Sequence, residues 1–375
     1  MRIPLFEKGL NDLIDYIDSI IPVKDLTMIE IGSYAGESTE IFAKRFGKVI
    51  TIDPHEPNYD DNDSASNSDF TEVLEKFLER KSKYNNIEYI RMKSDDAINL
   101  LKNFKVDLVY IDGVHTYEQV KKDIENYMPL IKNGGFISGH DFTPGWQTVV
   151  NAVTESLGEI DGVFCDASWV KRIHDVTVVY TYFGQEERIP GIVNQKLNTV
   201  IVDDCSSKPL GPIDGVRVFR ILDDIRWNQP GARNLGVHVS DGWIICADID
   251  HLVTHEMVKE LKRYRWVRGN IYFLGREDDD MLHNFFLVHK EDFDYMGGWD
   301  EDFSGNWGHD DTYLSIKFRK FLYPIYLTHI KSKIYKESMS VGVRDSTHNH
   351  QLLIKKINGD FAHTPRLRFK WTEIK

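Results

Sequence analysis

Cysteine, long apolar runs and positive charge are all scarce in this sequence. The three cysteines, Cys165, Cys205 and Cys246, are scattered without a C-x-x-C spacing, which argues against a disulfide framework, a zinc site or a redox pair. No apolar run approaches the ~18–20 residues that a membrane span requires. Residues 1–13 carry several charges and lack the apolar centre of a signal peptide. These absences predict free thiols, a cytoplasmic location and no stable membrane insertion.

The charge balance excludes another class of partner. Lys and Arg number 46 against 59 Asp and Glu, which gives a formal net charge of −13. A protein that grips nucleic acid by its phosphates needs basic patches, so a nucleic-acid partner is disfavoured. Apolar side chains are plentiful, at 41% of 375 residues, whereas one domain usually has ~100–200 residues. We therefore expect two globular domains, with self-association possible.

Short β-type runs alternate with helical segments along the whole chain. The runs of the first half are TMIEIG, VITIDP, IEYIRM, VDLVYIDG and GGFISGHDF, and those of the second half are VTVVYTY, NTVIVDD, VRVFRIL and GWIICADID. This alternation indicates a parallel α/β sheet in the first half and a second α/β unit in the second half. A change of rhythm near Arg172 predicts one domain over residues 1–172 and another over 173–375. The polar stretch 55–69 is interpreted either as a lid or as a solvated connection.

A glycine turn follows the first β-type run. Gly32 and Gly36 lie where that strand must turn into a helix, and Asp53 ends the next strand, where a carboxylate can accept hydrogen bonds from ribose hydroxyls. The spacing is G-x-x-x-G after Glu30, whereas dinucleotide folds use G-x-G-x-x-G to hold a pyrophosphate. A methyltransferase is therefore favoured over a nicotinamide enzyme, and the alternative is a tight turn that binds nothing.

Residues 25–172 resemble class I S-adenosylmethionine-dependent methyltransferases, and among them the macrocin-type small-molecule O-methyltransferases. The segments that carry the resemblance are EIGSYAGES, TIDP, KSDDAINLL, YIDGVHTYEQVKKDI and GGFISGHDF. It implies a Rossmann-like sheet with S-adenosylmethionine as cofactor. The residues that it places around the cofactor are Glu30, Gly32, Ser33, Gly36, Asp53, Ser94, Asp95 and Asp112.

A metal site in the first half is a further expectation. Asp112 and Asp141 each end a strand, and two carboxylates at that edge could share Mg²⁺. His115 and His140 flank them as candidate base or ligands. Metal-dependent relatives often carry an acidic base two positions after the first metal aspartate, where this chain has Val114. The plainer alternatives are that His115 packs or caps a turn and that Asp112 caps a helix.

The second half carries a D-x-D motif, Asp248 and Asp250, after an apolar strand. Such oxygen ligands suit Mn²⁺ or Mg²⁺, which could bridge them to a diphosphate, although an isolated D-x-D is common by chance. Residues 176–330 resemble inverting glycosyltransferases of the GT-A fold, with a C-terminal part like that of galactosyltransferases. The resemblance rests on VTVVYTYFGQEERI, TVIVDDCSSKP, NQPGARNLGV, ICADID and GGWDEDFSGNWGHDDTYL in that order.

This second resemblance implies a donor site and a base. The residues that it assigns to the nucleotide sugar are Thr181, Tyr182, Asp203, Asp204, Arg233, Asn234, Asp248 and Trp307. Asp248 and Asp250 would bind the metal, with His348 as a possible further ligand or merely an exposed histidine. Asp310 would be the catalytic base, with Asp311 as the second candidate, and His309 stands where the family usually has Glu.

Together these patterns predict a bifunctional transferase. One half would methylate a sugar hydroxyl, and the other would transfer a sugar from a nucleotide-diphospho-sugar to a small-molecule or glycan acceptor, as in surface polysaccharide synthesis. The competing interpretation is an active methyltransferase tethered to a GT-A-like module that only binds a glycan or a nucleotide sugar. The segment between the first two strands of the second half is short and contains Pro190 and Gly191, so its helix is expected to be stunted.

Overall fold

The computed structural model describes residues 4–277, 284–334, 344–359 and 366–375. It divides the chain into two compact units. The first comprises Met1–His174 and Lys262–Arg265, and the second comprises Asp175–Leu261 and Trp266–Lys375. The division therefore falls at His174, close to the expected boundary at residue 172, and it assigns one short later segment to the first unit.

The first unit is a seven-stranded sheet flanked by helices, with the strand order β3-β2-β1-β4-β5-β7-β6. Its strands are β1 Thr27–Ile31, β2 Lys48–Ile52, β3 Ile87–Ile90, β4 Val106–Ile111, β5 Ile131–Gly139, β6 Gly162–Val163 and β7 Trp169–Arg172. Its helices are α1 Pro4–Asp18, α2 Glu37–Arg45, α3 Phe70–Lys81, α4 Ser94–Leu101, α5 Tyr117–Tyr127 and α6 Gln147–Leu157. Strands β1 to β5 are parallel, and β7 is antiparallel to both β5 and β6.

The apolar pattern explains this architecture. The central parallel strands β1, β2 and β4 are buried along nearly their whole length, as expected for a sheet that is covered on both faces. Helix α1 buries Leu10, Leu13, Ile14 and Ile17, which share one helical face. Chain order reverses between β1 and β4, and open α/β sheets bind ligands at the carboxyl ends of the strands beside such a reversal. This point positions the candidate site of the first unit.

The second unit contains a larger mixed sheet, whose described strands follow the order β12-β15-β13-β14-β11-β8-β9-β10-β16. Its strands are β8 Val176–Tyr182, β9 Thr199–Asp204, β10 Val216–Ile221, β11 Trp243–Asp248, β12 His251–Leu252, β13 Asn270–Arg276, β14 Phe286–His289, β15 Tyr323–Ile334 and β16 Trp371–Ile374. Its helices are α7 Ile189–Val193, α8 Gln229–His238, α9 His255–Leu261, α10 Lys290–Tyr295, α11 Asp310–Phe321 and α12 Thr347–Ile357.

Parallel pairing in the second sheet joins β10, β9, β8 and β11, so chain order reverses between β8 and β11. Helix α8 packs tightly on this core, because a Cβ added at Gly236 would lie 2.2 Å from the side chain of Val179. Helix α7 has only five residues, the second of which is Pro190, so it is stunted as the sequence predicted. The prediction of a Rossmann-like sheet followed by a second α/β domain is confirmed. Every helix in the described ranges is too short or too polar to cross a lipid bilayer.

Candidate active sites at the strand ends

The glycine turn of the first unit connects β1 to α2. Gly32 has a φ of 85°, and a Cβ at this position would lie 2.1 Å from the carbonyl oxygen of Asp112. Gly36 has a φ of 81° and immediately precedes α2. A side chain is therefore excluded at Gly32, and the turn brings bare backbone to the N-terminus of a helix, an arrangement that suits a polar ligand.

Asp53 holds this turn from the end of β2. Its Oδ2 accepts hydrogen bonds from the backbone N–H groups of Ser33, at 2.9 Å, and Tyr34, at 2.8 Å. Its Oδ1 accepts one from the N–H of His55 at 2.7 Å. Because each carboxylate oxygen offers two lone pairs, Oδ1 can accept one further bond, whereas Oδ2 already accepts two. The predicted contact of Asp53 with a ribose therefore stays a prediction, beside a role in shaping the turn that the sequence did not reveal.

Glu30 supports the other side of the turn. Its buried carboxylate accepts hydrogen bonds from Ser38 Oγ at 2.5 Å and Thr39 Oγ1 at 2.6 Å, both in the first turns of α2. Burial raises the pKa of Glu30 to about 7, although these hydrogen bonds oppose the shift. The side chain thus fastens β1 to α2, and its predicted place beside the cofactor remains a prediction.

Ser94 and Asp95 begin α4 and are linked to α5. Ser94 Oγ accepts a hydrogen bond from Gln119 Nε2 at 3.2 Å, and Asp95 Oδ2 accepts one from Lys122 Nζ at 2.7 Å. Burial raises the pKa of the neighbouring Asp123 to about 6. These contacts fix the start of α4, and the predicted proximity of Ser94 and Asp95 to an adenine is not tested by them.

A cluster of carboxylates and imidazoles follows β4 and β5. Asp112, His115 and Asp141 each offer one ligand atom, and these atoms lie within 4.8 Å of one another. His115 Nε2 is 2.9 Å from Asp141 Oδ2 and 3.8 Å from Asp112 Oδ1. His140 Nδ1 is 3.2 Å from the same Oδ2 of Asp141. The structure therefore brings together the acidic pair and both histidines that the sequence singled out.

The electrostatics of this cluster are set by buried opposite charges. Burial lowers the pKa of His115, but Asp112 and Asp141 outweigh it and raise that pKa to about 10. The same balance raises the pKa of His140 to about 9. Burial opposes ionisation of Asp141, yet the two histidines hold its pKa below the usual range. Without a metal, both imidazoles are therefore protonated at neutral pH.

The donor set fits a divalent cation. Neither ring nitrogen of His115 makes a well-aligned hydrogen bond within the part of the chain that the structure describes. Two carboxylates and one imidazole suit Mg²⁺ or Mn²⁺, and histidine binds metals only after it loses its proton. Asp141 has a φ of 61°, a strained conformation of the kind that clusters at functional sites. A metal role for Asp112 and Asp141 remains a prediction, which this geometry supports.

Three residues beside the cluster were missed by sequence reasoning. Asp63 Oδ2 lies 3.7 Å from His115 Nδ1, Trp146 stacks on His115 with ring centroids 4.5 Å apart, and Asp166 Oδ2 lies 3.8 Å from His140 Nε2. Asp63 comes from the polar stretch 55–69, in which Asp60 and Ser66 are buried. That stretch therefore packs against the unit rather than forming a fully solvated connection. Within this stretch, its carboxylates were the only sequence feature that could have pointed to Asp63.

In the second unit, one buried arginine joins three carboxylates. Arg233 on α8 places Nη2 2.7 Å from Asp248 Oδ1, and its Nη1 lies 2.6 Å from Asp311 Oδ1 and 3.3 Å from Asp310 Oδ2. Its guanidinium also lies over the ring of Trp299, 5.0 Å from the centroid. Because the side chain of Arg233 is only 3% exposed, it is a fixed counter-charge for the acidic cluster. The predicted contact of Arg233 with the nucleotide stays a prediction.

The two aspartates of the D-x-D motif differ in their partners. Asp248 accepts hydrogen bonds from Gln229 and Arg233 at Oδ1 and from Asn284 at Oδ2. Asp250 Oδ1 is buried without a hydrogen-bond partner in the described ranges. Asp250 therefore fits a cation better than Asp248 does. His348 is exposed in the first turn of α12, and in the described residues Asp248, Asp250 and His348 do not form a three-ligand cluster.

Two cavities lie beside this acidic cluster. The larger has a volume of about 700 Å³, and its wall includes Thr181, Tyr182, Asp204, Asp248 and Asp250. The smaller has a volume of about 350 Å³, and its wall includes Phe303, His309, Asp310 and Asp311. The residues that line both cavities are Trp227, Gln229 and Trp307. The structure thus separates the residues predicted for the donor from those predicted for the base, with a shared wall between the two cavities.

Two residues predicted to bind the nucleotide already form hydrogen bonds within the protein. Asp203 is fully buried and accepts hydrogen bonds from the N–H groups of Ser206 and Leu210 and from Arg220. Asn234 bonds to both backbone groups of Trp299, at 3.0 Å each. Both side chains shape the loops around the cavities, so a direct ligand contact for either remains only a prediction. Asp204 does line the larger cavity, and burial raises its pKa to about 7.

Asp310 is the first residue of α11, and His309 before it has a φ of 66°. Burial and the neighbouring charge of Asp311 raise the pKa of Asp310 to about 7, although Arg233 opposes the shift. Asp311 also accepts a hydrogen bond from Trp299 Nε1 at 3.3 Å. A carboxylate that titrates near neutral pH and faces a cavity has the property expected of a general base.

Comparison with known proteins bears on the first unit. Residues 29–142 match the family model described as a methyltransferase domain. The match supports methyl transfer, and it contains Gly32, Asp53, Asp112 and Asp141. Over 150 residues the chain is 29% identical to "Uncharacterized protein R132" of Acanthamoeba polyphaga mimivirus, a stretch equal to 36% of this chain. The match spans 61% of that relative's length.

Solved structures with distant similarity include two kinds of transferase. CalS11, a TDP-rhamnose 3'-O-methyltransferase of calicheamicin biosynthesis, is 14% identical and aligns with 45% of this chain and 80% of its own, at a TM-score of 0.34. The catalytic domain of Drosophila β1,4-galactosyltransferase 7 is 14% identical and aligns with 52% of this chain and 83% of its own, at a TM-score of 0.38.

Proposed function

We propose that the first unit transfers a methyl group from S-adenosylmethionine to a hydroxyl group of a small-molecule acceptor, for which the resemblance favours a sugar. The observation that supports this proposal is that two features lie at the ends of neighbouring strands, within the residues that match the methyltransferase family model. The glycine turn follows β1, and the Asp112–His115–Asp141 cluster follows β4 and β5. A cofactor at the turn and an acceptor at the cluster would therefore be neighbours.

The chain's own residues account for binding and proton transfer. The turn offers backbone to the cofactor, which supplies an electrophilic methyl group when bound. Methyl transfer to a hydroxyl also requires removal of its proton. His140 is the candidate acceptor of that proton where a cation takes His115 as a ligand, and His115 is the candidate where it does not, because Val114 leaves no carboxylate at the position where relatives carry one. In either case the imidazole must first lose the proton that the acidic cluster favours. A divalent cation held by Asp112, His115 and Asp141 would lower the pKa of the acceptor hydroxyl.

Calorimetry with S-adenosylmethionine and S-adenosylhomocysteine on the full chain tests this function directly. We expect binding of both with one site per chain. A folded protein that binds neither compound would refute the proposal. Methyl transfer to a panel of nucleotide-linked and free sugars then tests the acceptor class, with product detected by mass spectrometry.

For the second unit we propose inverting transfer of a sugar from a nucleotide-diphospho-sugar. A specific observation favours it: Asp310 faces the smaller cavity, while Asp250 and Asp204 face the larger one. In an inverting displacement the base takes the proton of the acceptor hydroxyl while that oxygen attacks the anomeric carbon. Asp310 is placed for that role, with Asp311 as the second candidate. A cation at Asp250 would stabilise the charge of the leaving diphosphate.

The competing function for this unit is binding without catalysis. A donor panel distinguishes the two, with thermal shift reporting binding and release of the nucleoside diphosphate reporting turnover. Donor binding with turnover supports a glycosyltransferase, and binding without turnover in the presence of Mn²⁺ and a broad acceptor mixture supports the binding module. If both units are active, we propose that they act on one glycan, as in surface polysaccharide synthesis.

A further inference from the structure

We propose that His55 is a positioning residue that clamps the glycine turn in the shape that binds S-adenosylmethionine. This inference rests on the proposed methyl transfer and adds a residue that no sequence motif indicated. His55 follows β2 by three residues, and its side chain is completely buried. It is not part of the turn itself. Its contacts nevertheless reach the apex of the turn.

The contacts of His55 define which ring nitrogen donates to the turn. Nε2 lies 2.8 Å from the backbone carbonyl oxygen of Tyr34, the residue between Gly32 and Gly36 at the apex. A carbonyl oxygen only accepts hydrogen bonds, so Nε2 must carry a proton and donate it. Nδ1 lies 2.7 Å from the hydroxyl of Tyr89, which also donates to the backbone carbonyl oxygen of Asp53 at 3.2 Å. Tyr89 on β3 thereby holds the imidazole in the orientation that reaches the turn.

Tyr34 is restrained on every polar group. Its N–H donates to Asp53, its carbonyl oxygen accepts from His55, and its hydroxyl lies 2.7 Å from Ser68 Oγ. Both Tyr34 and His55 have a positive φ, of 45° and 52°, which costs energy in residues other than glycine. Strained backbone of this kind persists only when its surroundings over-determine it, and here the surroundings are Asp53, His55 and Tyr89.

The clamp matters for binding because a turn of this kind must be rigid before the ligand arrives. An apex that relaxes between ligands would lose affinity by the cost of ordering it again. His55 is packed between Phe77, with ring centroids 5.0 Å apart, and Tyr89, with ring centroids 5.5 Å apart. It therefore transmits the rigidity of α3 and β3 to the turn.

The test compares three variants of the full chain, each by calorimetry with S-adenosylhomocysteine and by hydrogen exchange of the peptide spanning the turn. His55→Phe keeps the ring packing and removes both nitrogens. Tyr89→Phe removes only the hydroxyl that orients His55. Tyr84→Phe is the matched control, because it removes a tyrosine hydroxyl bound to Glu40 in the same unit. We expect affinity to fall about tenfold in His55→Phe and roughly twofold to fivefold in Tyr89→Phe, as for lost buried hydrogen bonds.

Hydrogen exchange supplies a second readout, which needs no ligand. The amides of Ser33 and Tyr34 should exchange faster in His55→Phe and should be unchanged in Tyr84→Phe. Wild-type affinity and wild-type protection in a folded His55→Phe would overturn the clamp. If that variant does not fold, Tyr89→Phe decides, and behaviour identical to Tyr84→Phe overturns it. If the wild-type protein binds no S-adenosylhomocysteine, the proposed methyl transfer is refuted. The hydrogen-exchange rates of the variants still test whether His55 holds the turn.

Discussion

The two units place carboxylates at the same position of a similar sheet but neutralise them differently. The orders β3-β2-β1-β4 and β10-β9-β8-β11 share one reversal, and in both units an aspartate lies at the end of the strand beyond it, Asp112 after β4 and Asp248 in β11. In the first unit the counter-charges are His115 and His140. In the second unit the counter-charge is Arg233. The two kinds of counter-charge differ in whether the side chain can lose its proton and become neutral.

An imidazolium can lose its proton, whereas a guanidinium in a protein cannot. The histidine cluster can therefore exchange protons for a metal ion, while Arg233 holds the pKa of Asp248 below its usual range without one. Sequence reasoning expected the better defined metal site in the second unit, from the D-x-D motif. In the described residues the three-ligand cluster lies in the first unit, because Asp248 is already hydrogen-bonded by Arg233, Gln229 and Asn284. The following experiments test this contrast.

The largest effect is expected for Asp310→Asn. The variant keeps the shape of the side chain and loses the proton acceptor, so sugar transfer should fall by ~10²–10⁴-fold. Donor affinity should stay near normal, because the donor is assigned to the larger cavity. Turnover, donor affinity and melting temperature should be measured on one preparation. A stable variant that binds donor and keeps more than about a tenth of the wild-type rate would contradict the base assignment.

The pKa of Asp310 adds a pH profile to that test. Its raised pKa of about 7 means that the basic, deprotonated form dominates only above pH 7. Transfer should therefore fall as the pH drops below 7. The same shift means that folding loses stability as the pH rises from the unfolded pKa toward 7, because the folded state holds the proton more tightly. Asp310→Asn should accordingly melt no lower than wild type at pH 8.

The next largest effect is expected on stability, when the fixed counter-charge of Arg233 is removed. Arg233→Met leaves three acidic groups around an apolar side chain, and loss of one partner from a buried ion pair costs about 3–5 kcal/mol. Denaturant unfolding measures the loss. The matched comparison is Arg217→Met, an exposed arginine on β10 that donates to the carbonyl of Val239. Equal losses in the two variants would show that Arg233 is not the counter-charge of the cluster.

Metal affinity should separate the two units. Binding of Mn²⁺, followed by calorimetry or electron paramagnetic resonance, should weaken about 10–100-fold in Asp112→Asn, since metal sites respond strongly even to changes beyond the ligands themselves. Asp250→Asn should affect only a second, weaker site. A larger loss of Mn²⁺ affinity in Asp250→Asn than in Asp112→Asn would instead favour the metal site that the D-x-D motif predicted in the second unit. Chelation should abolish sugar transfer, and it should also slow methyl transfer if a cation at Asp112, His115 and Asp141 activates the acceptor hydroxyl.

The smallest effect is expected at Asp53. If Asp53 both holds the turn and binds a ribose, Asp53→Ala should weaken S-adenosylmethionine binding at least about tenfold, as for one or two unsatisfied buried groups. Asp53→Asn should weaken binding less, because the side-chain amide oxygen can still accept a hydrogen bond from the N–H of Ser33. Unchanged affinity in the alanine variant would remove the ribose assignment.

Local patterns explain why much of the fold was predictable. Alternating apolar segments located the parallel strands, and glycines followed by polar residues located the turn between β1 and α2. Because parallel strands end at one edge of a sheet, residues that directly follow them, such as Asp112 and Asp141, could be expected to meet. That expectation required only chain order and strand direction.

The remaining features depend on pairings that local patterns do not encode. Arg233 meets Asp310 across 77 positions of sequence, and His55 reaches back 21 positions to Tyr34. Asp63 lies in a stretch that lacks apolar periodicity, so no helix or strand pattern predicts where its side chain points. These contacts follow from tertiary packing, which decides which polar groups share a buried space.

The wall shared by the two cavities of the second unit implies that their ligands help each other to bind. Trp227, Gln229 and Trp307 line both spaces, so a ligand that fixes them in one cavity also fixes a wall of the other. The entropy of ordering those side chains is then lost only once, and the second ligand binds more tightly than it would alone. By linkage the benefit is mutual and equal in size. The sign of two indole rings and one amide that serve both spaces would be a Kd for each ligand that falls by the same factor when the other ligand is bound.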